Sequence, residues 1–304
     1  MKVVVLSSSS SGNSTYIELN NIKFLIDAGL PYGVMKERLY DINVEPESID
    51  FIIVTHAHID HVRSIHTFNR VYNTKIYISS ETLLEYDKRD KLKDVVLFDE
   101  LDNIMGIKFD KVPISHDKKG YGFVFEYGGS SIAYMADTGM IHFKYYNVLK
   151  NKTVYLLESN HDVEMEMNGS KDFQTKLRNI GDTGHLSNEE CAKYLNMIIG
   201  NNTKKIVLIH ISEHDNTYEK ALEIAKKDKR IKVIKNEKNI TLAPALNHCL
   251  EYAQGEYCAR MDGDDVCDLD RFQKEVDFLN SYSDYEIVSC GMRFYDDEGV
   301  YGQR

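Results

Sequence analysis

The sequence contains few cysteines, and their spacing argues against a disulfide-stabilised protein. Five are present in 304 residues, none of them in a Cys-x-x-Cys pair, and only Cys191 precedes residue 249. Small secreted domains that depend on disulfides carry closely spaced cysteines, usually an even number of them. We therefore expect reduced thiols and a cytoplasmic protein.

A long apolar run is also missing. Residues Met1–Leu6 lead directly into a serine stretch, so this segment is too short for a secretion signal or a membrane span. Apolar residues still make up 42% of the sequence, which is enough for one large domain or two ordinary ones. We expect no membrane partner.

The first part of the chain has little net charge. The total is −11, but residues 1–235 contribute −2 of it and residues 236–304 contribute −9. Overall acidity argues against a nonspecific nucleic-acid coat, whereas a near-neutral domain leaves room for a local basic face. This change in net charge between the two parts of the chain predicts a domain boundary near residue 235.

Short apolar segments alternate with helical patterns along residues 1–210. The predicted strands are Val3–Leu6, Tyr16–Leu19, Lys23–Asp27, Asp50–Thr55, Lys75–Ser79, Ile107–Pro113, Tyr121–Tyr127, Ser131–Ala136, Val154–Glu158 and Ile206–Ile209. Helices are predicted for Leu30–Tyr40 and Asn188–Ile199, and Asn20-Asn21 predicts a hairpin turn. Runs of strands with interspersed helices predict an α+β fold of two sheets with helices outside.

A histidine cluster follows the fourth predicted strand. His56, His58, Asp60 and His61 lie within six residues, so they cannot all point one way on a strand or helix. A loop at a strand end that brings imidazoles and a carboxylate together is typical of a site for zinc or a similar metal. The alternative is a histidine-rich surface loop, but only eleven histidines occur in the whole chain.

Three further candidate ligands each follow the end of an apolar strand. They are His116, Asp137 and His210. Functional side chains are often carried by loops on a rigid scaffold. Each of the three, considered alone, could equally well be a structural histidine or an aspartate in a turn. Together with the histidine cluster, however, they indicate a site for two metal ions.

The pattern His56-x-His58-x-Asp60-His61, followed by His116, Asp137 and His210, resembles the metallo-β-lactamase superfamily in order and spacing. Asp27 matches the early aspartate that supports the ligand loop in that superfamily. The resemblance implies a four-layer αβ/βα hydrolase domain over residues 1–235.

A narrower resemblance covers about residues 1–225. Segments 9–15, 157–162, 184–188 and 210–213 resemble the YycJ (WalJ) family, which implies a metal-dependent phosphodiesterase and specifically a 5′-to-3′ DNA exonuclease. DNA is therefore the expected partner. Asn160 and His161 are expected to hold the ligands in place.

The superfamily resemblance also assigns the ligands. One ion would be held by His56, His58 and His116, the other by Asp60, His61 and His210, with Asp137 bridging the two. Zinc and manganese both suit this set. Two such ions lower the pKa of a bridging water from 15.7 to about 7, which makes hydroxide available at neutral pH. Asp60 is a candidate catalytic residue, because it lies beside that water and can accept its proton.

Two other residues are candidates for contact with substrate. His185 precedes a predicted helix, and we assign it as a donor to the scissile phosphate or to the leaving oxygen, the alternative being a histidine satisfied at a helix start. Asn13 lies after a serine run that would present backbone amides to a phosphate. A plain glycine-serine turn explains that run equally well.

From about residue 228 the chain resembles the middle of a family 2 glycosyltransferase, in which Asp262 and Asp264 would chelate the cation of a nucleotide-sugar. That family's uridine-binding strands and acceptor half have no counterpart here. We therefore predict a partial GT-A-like α/β segment over residues 236–304, after a helix from Tyr218 to Lys227 that closes the hydrolase domain. The segment is expected to expose apolar side chains, among them Phe272.

Three alternatives to a DNA exonuclease remain open. The first is a hydrolase of small esters, thioesters or lactones with the same metals. The second is a glycosyltransferase-related fusion in which the hydrolase domain is a regulatory module. The third, a metal-binding protein without catalysis, is disfavoured because no ligand is missing.

Overall fold

The computed structural model describes residues 1–217, 219–221, 256–259, 270–282, 284–291, 293–296 and 299–303. The chain divides into two compact units, Met1–Lys232 and Val233–Arg304. Most of the helix predicted from Tyr218 to Lys227 lies outside the described residues, as do Asp262 and Asp264. The predicted domain boundary at residue 235 stays a prediction.

The first sheet of the larger unit contains six strands, adjacent in space in the order of the chain. They are β1 (Lys2–Ser9), β2 (Gly12–Leu19), β3 (Ile22–Ile26), β4 (Phe51–Ile53), β5 (Lys75–Ile78) and β6 (Val95–Leu97). Strands β1 to β3 pair antiparallel and β3 to β6 pair parallel. Asn20 and Asn21 have φ values of 54° and 60°, which gives the tight turn between β2 and β3 the backbone twist that hairpins favour.

The second sheet also contains six strands in chain order. They are β7 (Asn103–Ile104), β8 (Ile107–Pro113), β9 (Tyr121–Tyr127), β10 (Ser130–Met135), β11 (Val154–Glu158) and β12 (Lys205–Ile209). Strands β7 to β10 pair antiparallel, and β10 to β12 pair parallel.

Helices occupy the connections. They are α1 (Tyr32–Asp41), α2 (Ile59–Val62), α3 (Ile65–Tyr72), α4 (Ser80–Glu85), α5 (Tyr146–Leu149), α6 (Val163–Asn168), α7 (Phe173–Ile180) and α8 (Asn188–Ile198). Single 3-10 turns are formed by Pro46–Ser48, Arg89–Lys91 and Phe143–Tyr145. None of the helices in the described part combines the length and apolarity that a membrane crossing requires.

Alternating side chains on the strands divide the core into layers. Phe24 of β3 and Leu156 of β11 lie in one apolar cluster between the two sheets. Their neighbours point the other way: Leu25 belongs to a cluster beneath α1 and α3, and Leu157 to a cluster beneath α5 and α8. Successive residues of a strand face opposite sides of the sheet, so both sheets are covered on both faces. The result is the predicted four-layer arrangement of helices, two sheets and helices.

Three residues at the strand ends have left-handed backbone conformations. Asp27 follows β3 with φ 61°, Asp137 follows β10 with φ 52°, and His210 follows β12 with φ 56°. This region is uncommon for residues other than glycine, and such strain clusters at functional sites. The predicted strand Lys23–Asp27 ends one residue early, at Ile26, because Asp27 turns its backbone out of the sheet.

The smaller unit contributes helix α9 (Arg271–Ser281) and a hairpin of β13 (Arg293–Asp296) and β14 (Gly299–Gln303). None of the α9 side chains is fully buried. Phe272 is exposed, whereas Phe278 is half-buried and contacts the rings of Tyr282 and Tyr285.

Candidate metal centre

All seven predicted ligands come together at one end of the two sheets. Ligand atoms of His56, His58 and His116 lie within 4.8 Å of one another, and so do those of His56, His61 and Asp137. His210 Nδ1 lies 3.5 Å from Asp137 Oδ1, and Asp60 Oδ2 lies 3.5 Å from His61 Nε2. The side chains that the sequence pattern singled out are therefore neighbours in space.

Close backbone packing fixes the loop that carries the histidine cluster. His56 bridges to Gly120 at the start of β9, and a Cβ on that glycine would lie 2.6 Å from His56 Cβ. A Cβ on Gly29 would lie 1.5 Å from the carbonyl oxygen of Asp60. Only glycine allows such approaches, so these two residues set where the loop lies.

Asp27 supports the same loop from within the core. Its carboxylate accepts hydrogen bonds from Thr55 N and Thr55 Oγ1, both at 2.8 Å, and from His61 Nδ1 at 2.7 Å. Burial opposes a charge on His61, but the carboxylates of Asp137 and Asp27 outweigh it and raise the pKa of His61 well above its ordinary value. Protons and a metal ion therefore compete for this imidazole.

Four of the imidazoles place one ring nitrogen against a protein oxygen. The pairs are His56 Nδ1 with Thr55 Oγ1, His61 Nδ1 with Asp27 Oδ2, His116 Nδ1 with the carbonyl of Gly184, and His210 Nδ1 with Glu158 Oε1. In His56 and His61 this leaves Nε2 facing other predicted ligands, His58 and Asp137, whereas in His210 it is Nδ1 itself that also lies 3.5 Å from Asp137 Oδ1. Metal-binding histidines are held in this way, because the outer partner fixes both the tautomer and the orientation of the ring.

His58 completes the group formed with His56 and His116. Its Nδ1 lies 2.9 Å from His56 Nε2, and its Nε2 lies 3.3 Å from the exposed carboxylate of Asp117. Asp117 also lies 3.2 Å from His116 Nε2. Burial is the largest effect on His56 and His116 and lowers the pKa of both, which keeps these imidazoles neutral and able to coordinate a metal.

Asp137 lies close both to His61 and to His210. Its Oδ2 is buried, lies 3.2 Å from His61 Nε2 and accepts no hydrogen bond from any residue that the structure describes. Burial opposes its ionisation, but His210 and His61 outweigh this and lower the pKa of Asp137 well below its usual range. A buried anion with an unsatisfied oxygen is costly unless a cation compensates it. The donor set and this unsatisfied oxygen fit divalent metal ions.

A second carboxylate, Glu158 at the end of β11, was missed as a site residue. Its Oε1 accepts from His185 Nδ1 at 2.8 Å and from His210 Nδ1 at 2.7 Å, and its Oε2 accepts from Thr138 N at 2.9 Å. Glu158 is fully buried, and these two histidines lower its pKa against the effect of burial. The signal that could have found it is the one that identified Asp137, an acidic residue at the end of an apolar strand.

The histidine and carboxylate atoms that are neighbours in the structure differ from the sets of ligands predicted for each of the two ions. His210 lies with Asp137, Glu158 and His185, whereas His61 lies with His56 and Asp137. Burial alone would lower the pKa of His210, but Asp137 and Glu158 raise it to about 9. The division of ligands between the ions stays a prediction.

The other candidates lie around this centre. Asn13 is buried, and its amide nitrogen lies 3.1 Å from Asp60 Oδ2 and 3.0 Å from His61 Nε2. Residues Gly12 and Asn13 begin β2 and pair with Ser9 and Ser8 of β1. The structure thus gives Asn13 a contact with two predicted ligands, and its role in substrate binding stays a prediction.

Asn160 and His161 differ in their contacts. Asn160 Nδ2 donates to the carbonyl of His210 at 2.9 Å, which is the supporting contact expected of it. Both ring nitrogens of His161 are buried and have no hydrogen-bond partner among the described residues, so the expected contact of His161 with a ligand is not seen.

Comparison with known proteins identifies the class. The model of the metallo-β-lactamase superfamily matches residues 9–210, and the chain therefore belongs to that superfamily and is a metal-dependent hydrolase. Within it, exodeoxyribonuclease WalJ of Streptococcus pneumoniae serotype 2 is 34% identical over 228 residues, which cover 72% of this chain and 85% of that protein. The crystal structure of the metallo-β-lactamase fold protein YhfI from Bacillus subtilis has the same fold, with a TM-score of 0.57 and 16% identity over 74% of this chain and 90% of that one.

The last part of the chain is similar to a different family. The glycosyl transferase family 2 model matches residues 192–304 and so overlaps the first match at α8 and β12. The putative glycosyltransferase EpsE of Bacillus subtilis is 48% identical over 75 residues, which cover 25% of this chain and 27% of that protein. The chain thus spans about a quarter of this relative, in agreement with the predicted partial segment.

Proposed function

We propose that the chain is a phosphodiesterase that degrades DNA from its 5′ end and uses two divalent ions, zinc or manganese. The observation that carries the proposal is the convergence of His56, His58, Asp60, His61, His116, Asp137 and His210 on one site. The site lies within the residues that match the metallo-β-lactamase superfamily, and the chain is similar over 228 residues to an exodeoxyribonuclease.

One ion would be held by His56, His58 and His116, and the other by Asp60, His61 and His210, with Asp137 between them. When bound, such ions polarise the phosphodiester and acidify the attacking water. His56 and His116 would coordinate as neutral imidazoles, since burial lowers the pKa of both and their Nδ1 atoms are fixed by protein oxygens. His61 and His210, whose pKa values are raised, would first release a proton.

Asp60 is the proposed acceptor of the proton from the attacking water. Burial opposes ionisation of Asp60, but its hydrogen bond with His61 outweighs burial and lowers its pKa, so it is a carboxylate at neutral pH. Its side chain is 21% exposed, whereas His61 beside it is 1% exposed. Asn13 holds Oδ2 of this carboxylate, which orients Asp60 towards the site.

His185 is the proposed proton donor to the leaving oxygen. Its Nδ1–H donates to the ionised Glu158, so the Nε2 atom faces away from that carboxylate. The side chain is 18% exposed, against 6% for His210, so substrate can reach it. Glu158 acts through His185 and is a positioning residue, since it is itself fully buried.

A substrate panel tests the proposal. Full-length protein is supplied with Mn²⁺ or Zn²⁺ and offered single-stranded DNA, RNA, bis(p-nitrophenyl) phosphate and a thioester. We expect the highest kcat/KM on 5′-phosphorylated DNA, and the His116→Ala variant serves as the control for contaminating nucleases. Rapid thioester turnover without DNA cleavage would instead favour a small-molecule hydrolase.

A further inference from the structure

We propose that a basic surface formed by His66, Arg70, Lys88 and Lys91 binds the phosphate backbone of the DNA strand whose end is cleaved at the metal centre. The inference rests on the proposed function and adds to it the place where the strand is held away from the reacting phosphate.

The basic surface consists of two pairs of residues on neighbouring elements. His66 and Arg70 are four residues apart on α3, so they lie on the same side of that helix. Lys88 precedes the 3-10 turn Arg89–Lys91, and Lys91 N donates to the carbonyl of Lys88 at 3.0 Å. Residues three apart in such a turn are eclipsed, so Lys88 and Lys91 also lie on one side.

The side chain of Asn69, which is buried on α3, holds the two elements together. Its Nδ2 donates to the carbonyl of Lys93 at 2.7 Å, and its Oδ1 accepts from Lys93 N at 2.8 Å. Phe68 of α3 and Tyr86 lie in one apolar cluster, against which Leu92 packs. Polar and apolar contacts therefore fix the turn beside α3, and the basic surface is formed before any ligand binds.

The positive charges of this surface converge on His66. Arg70, Lys88 and Lys91 are exposed, whereas His66 is half-buried. Burial lowers the pKa of His66, and the charged groups that lower it further are these three cations. Cations that are held together repel one another, so an anion bound among them is stabilised.

The neighbouring carboxylates do not neutralise these cations. Asp87, Asp90 and Asp94 lie in the same segment of the chain, but the ion pairs within the described part of the larger unit all involve other cations. Helix α3 itself contains no acidic residue. The protein as a whole has a net charge of −11, so a group of unpaired cations is not a consequence of its composition. Charge complementarity therefore indicates a polyanion.

The basic surface is joined to the metal centre by a short, fixed segment. His66 follows His61 by five residues, which span at most about 18 Å. Ala28 N donates to the carbonyl of His61 at 2.9 Å, and the carbonyl of Ala28 accepts from Ser64 N at 2.8 Å. A stacked strand advances about 3.4 Å per phosphate, so about five phosphates cover that distance. This proximity to a site for phosphodiester cleavage favours DNA over an anionic membrane.

The test compares charge variants of the full-length, metal-loaded protein. Lys88→Gln/Lys91→Gln removes two cations whose side chains are exposed. Lys204→Gln/Lys205→Gln is the matched control, because it removes the same charge from two exposed lysines at the start of β12, the end of that strand away from His210. Lys88→Arg/Lys91→Arg preserves the charge of the surface.

We expect Lys88→Gln/Lys91→Gln to raise KM for a long single-stranded oligonucleotide about 25-fold at about 0.1 M salt, with kcat within about twofold. This corresponds to the loss of two phosphate contacts, each of which contributes about 0.7 to the slope of log affinity against log salt and about fivefold to affinity. The slope should therefore fall by about 1.4, and the arginine variant should restore it. The increase in KM should be smaller for a dinucleotide, which is too short to extend from the metal centre to the surface.

Several results would overturn the inference. A wild-type KM and salt slope in Lys88→Gln/Lys91→Gln, while the wild type degrades DNA, would remove the surface and leave the proposed function intact. If that variant also lost binding to phosphatidylglycerol vesicles, the surface would be a membrane contact. An equal increase in KM in Lys204→Gln/Lys205→Gln, or for the dinucleotide, would likewise contradict a strand held at this surface. Hydrolysis of bis(p-nitrophenyl) phosphate but of no DNA by the wild type would remove the proposed function as well.

Discussion

Replacement of Gly29 by alanine tests how tightly the ligand loop is positioned. The new Cβ would lie 1.5 Å from the carbonyl oxygen and 2.2 Å from the carbonyl carbon of Asp60, and both are backbone atoms that cannot rotate away. Ordinary contact needs about 3.4 Å, so Asp60 and its neighbour His61 must move by about 2 Å, whereas metal–ligand distances tolerate about 0.2 Å. A misplacement of about 1 Å can already cost about 100-fold in rate. We expect Gly29→Ala to lose at least that much kcat/KM, most of the bound metal and about 1–3 kcal/mol of stability from overpacking.

Gly33→Ala is the matched control, four residues further along the chain. No atom lies within 4 Å of a Cβ at Gly33, which is in the first turn of α1, so alanine there should preserve activity and leave stability equal or up to about 1 kcal/mol higher. Metal content by mass spectrometry, hydrolysis of bis(p-nitrophenyl) phosphate and thermal melts measure all three effects. For a unit of this size the melting temperature of Gly29→Ala should fall by about 3–10 °C. A Gly29→Ala protein with full metal and wild-type turnover would refute the loop geometry.

Four other predictions follow from the same site. His58→Ala or His116→Ala should abolish hydrolysis and lower metal content while circular dichroism shows an intact fold; undiminished turnover with full metal would remove either from the ligand set. His185→Ala should lose about 10²- to 10⁴-fold in kcat and keep its metal, since a positioned proton donor has that effect; loss of metal would make His185 a ligand. In metal-free protein the pKa of His210 is raised to about 9, so the protonated imidazole stabilises the fold fully below about pH 6.5. Urea melts should therefore show stability falling from about pH 6.5 to 9, and metal affinity should rise over the same range as the proton leaves. The opposite trend would contradict this prediction. A chain ending at Lys235 should fold, bind metal and turn over substrate like the full chain; an insoluble or metal-free product would show that the acidic segment completes the hydrolase core.

The sequence predicted the site better than it predicted its surroundings. His56 to His61 and the three later ligands were visible because each lies at the end of a strand with a strong apolar pattern, and the structure brings all of them together. Glu158 was passed over because a single acidic residue at a strand end is ambiguous. Its role follows from contacts with His185 and His210, which are distant in sequence.

The fold class was predictable, but several elements were not. All ten predicted strands are present, whereas β6 and β7, of three and two residues, were not predicted. Strand β4 also has three residues but lies in the longer apolar run Asp50–Thr55, which made it recognisable. Helices α6 and α7 were missed for another reason. They are held by the buried Glu166 and by Asn179, polar residues that propensity and apolar spacing do not associate with a core. Tertiary contacts therefore define these helices more than their local sequence does.

The most direct test of the proposed function is the order in which nucleotides leave a single strand. The substrate is a 5′-phosphorylated DNA oligonucleotide that carries one label at its 5′ end and a different one near its 3′ end, incubated with full-length protein and Mn²⁺ or Zn²⁺. We predict that the 5′ label is released as a mononucleotide from the earliest time points while the 3′ label stays on long fragments, and that His116→Ala releases neither. Release of the 3′ label first, internal cleavage, or no release at all alongside turnover of a thioester would contradict a 5′-to-3′ DNA exonuclease.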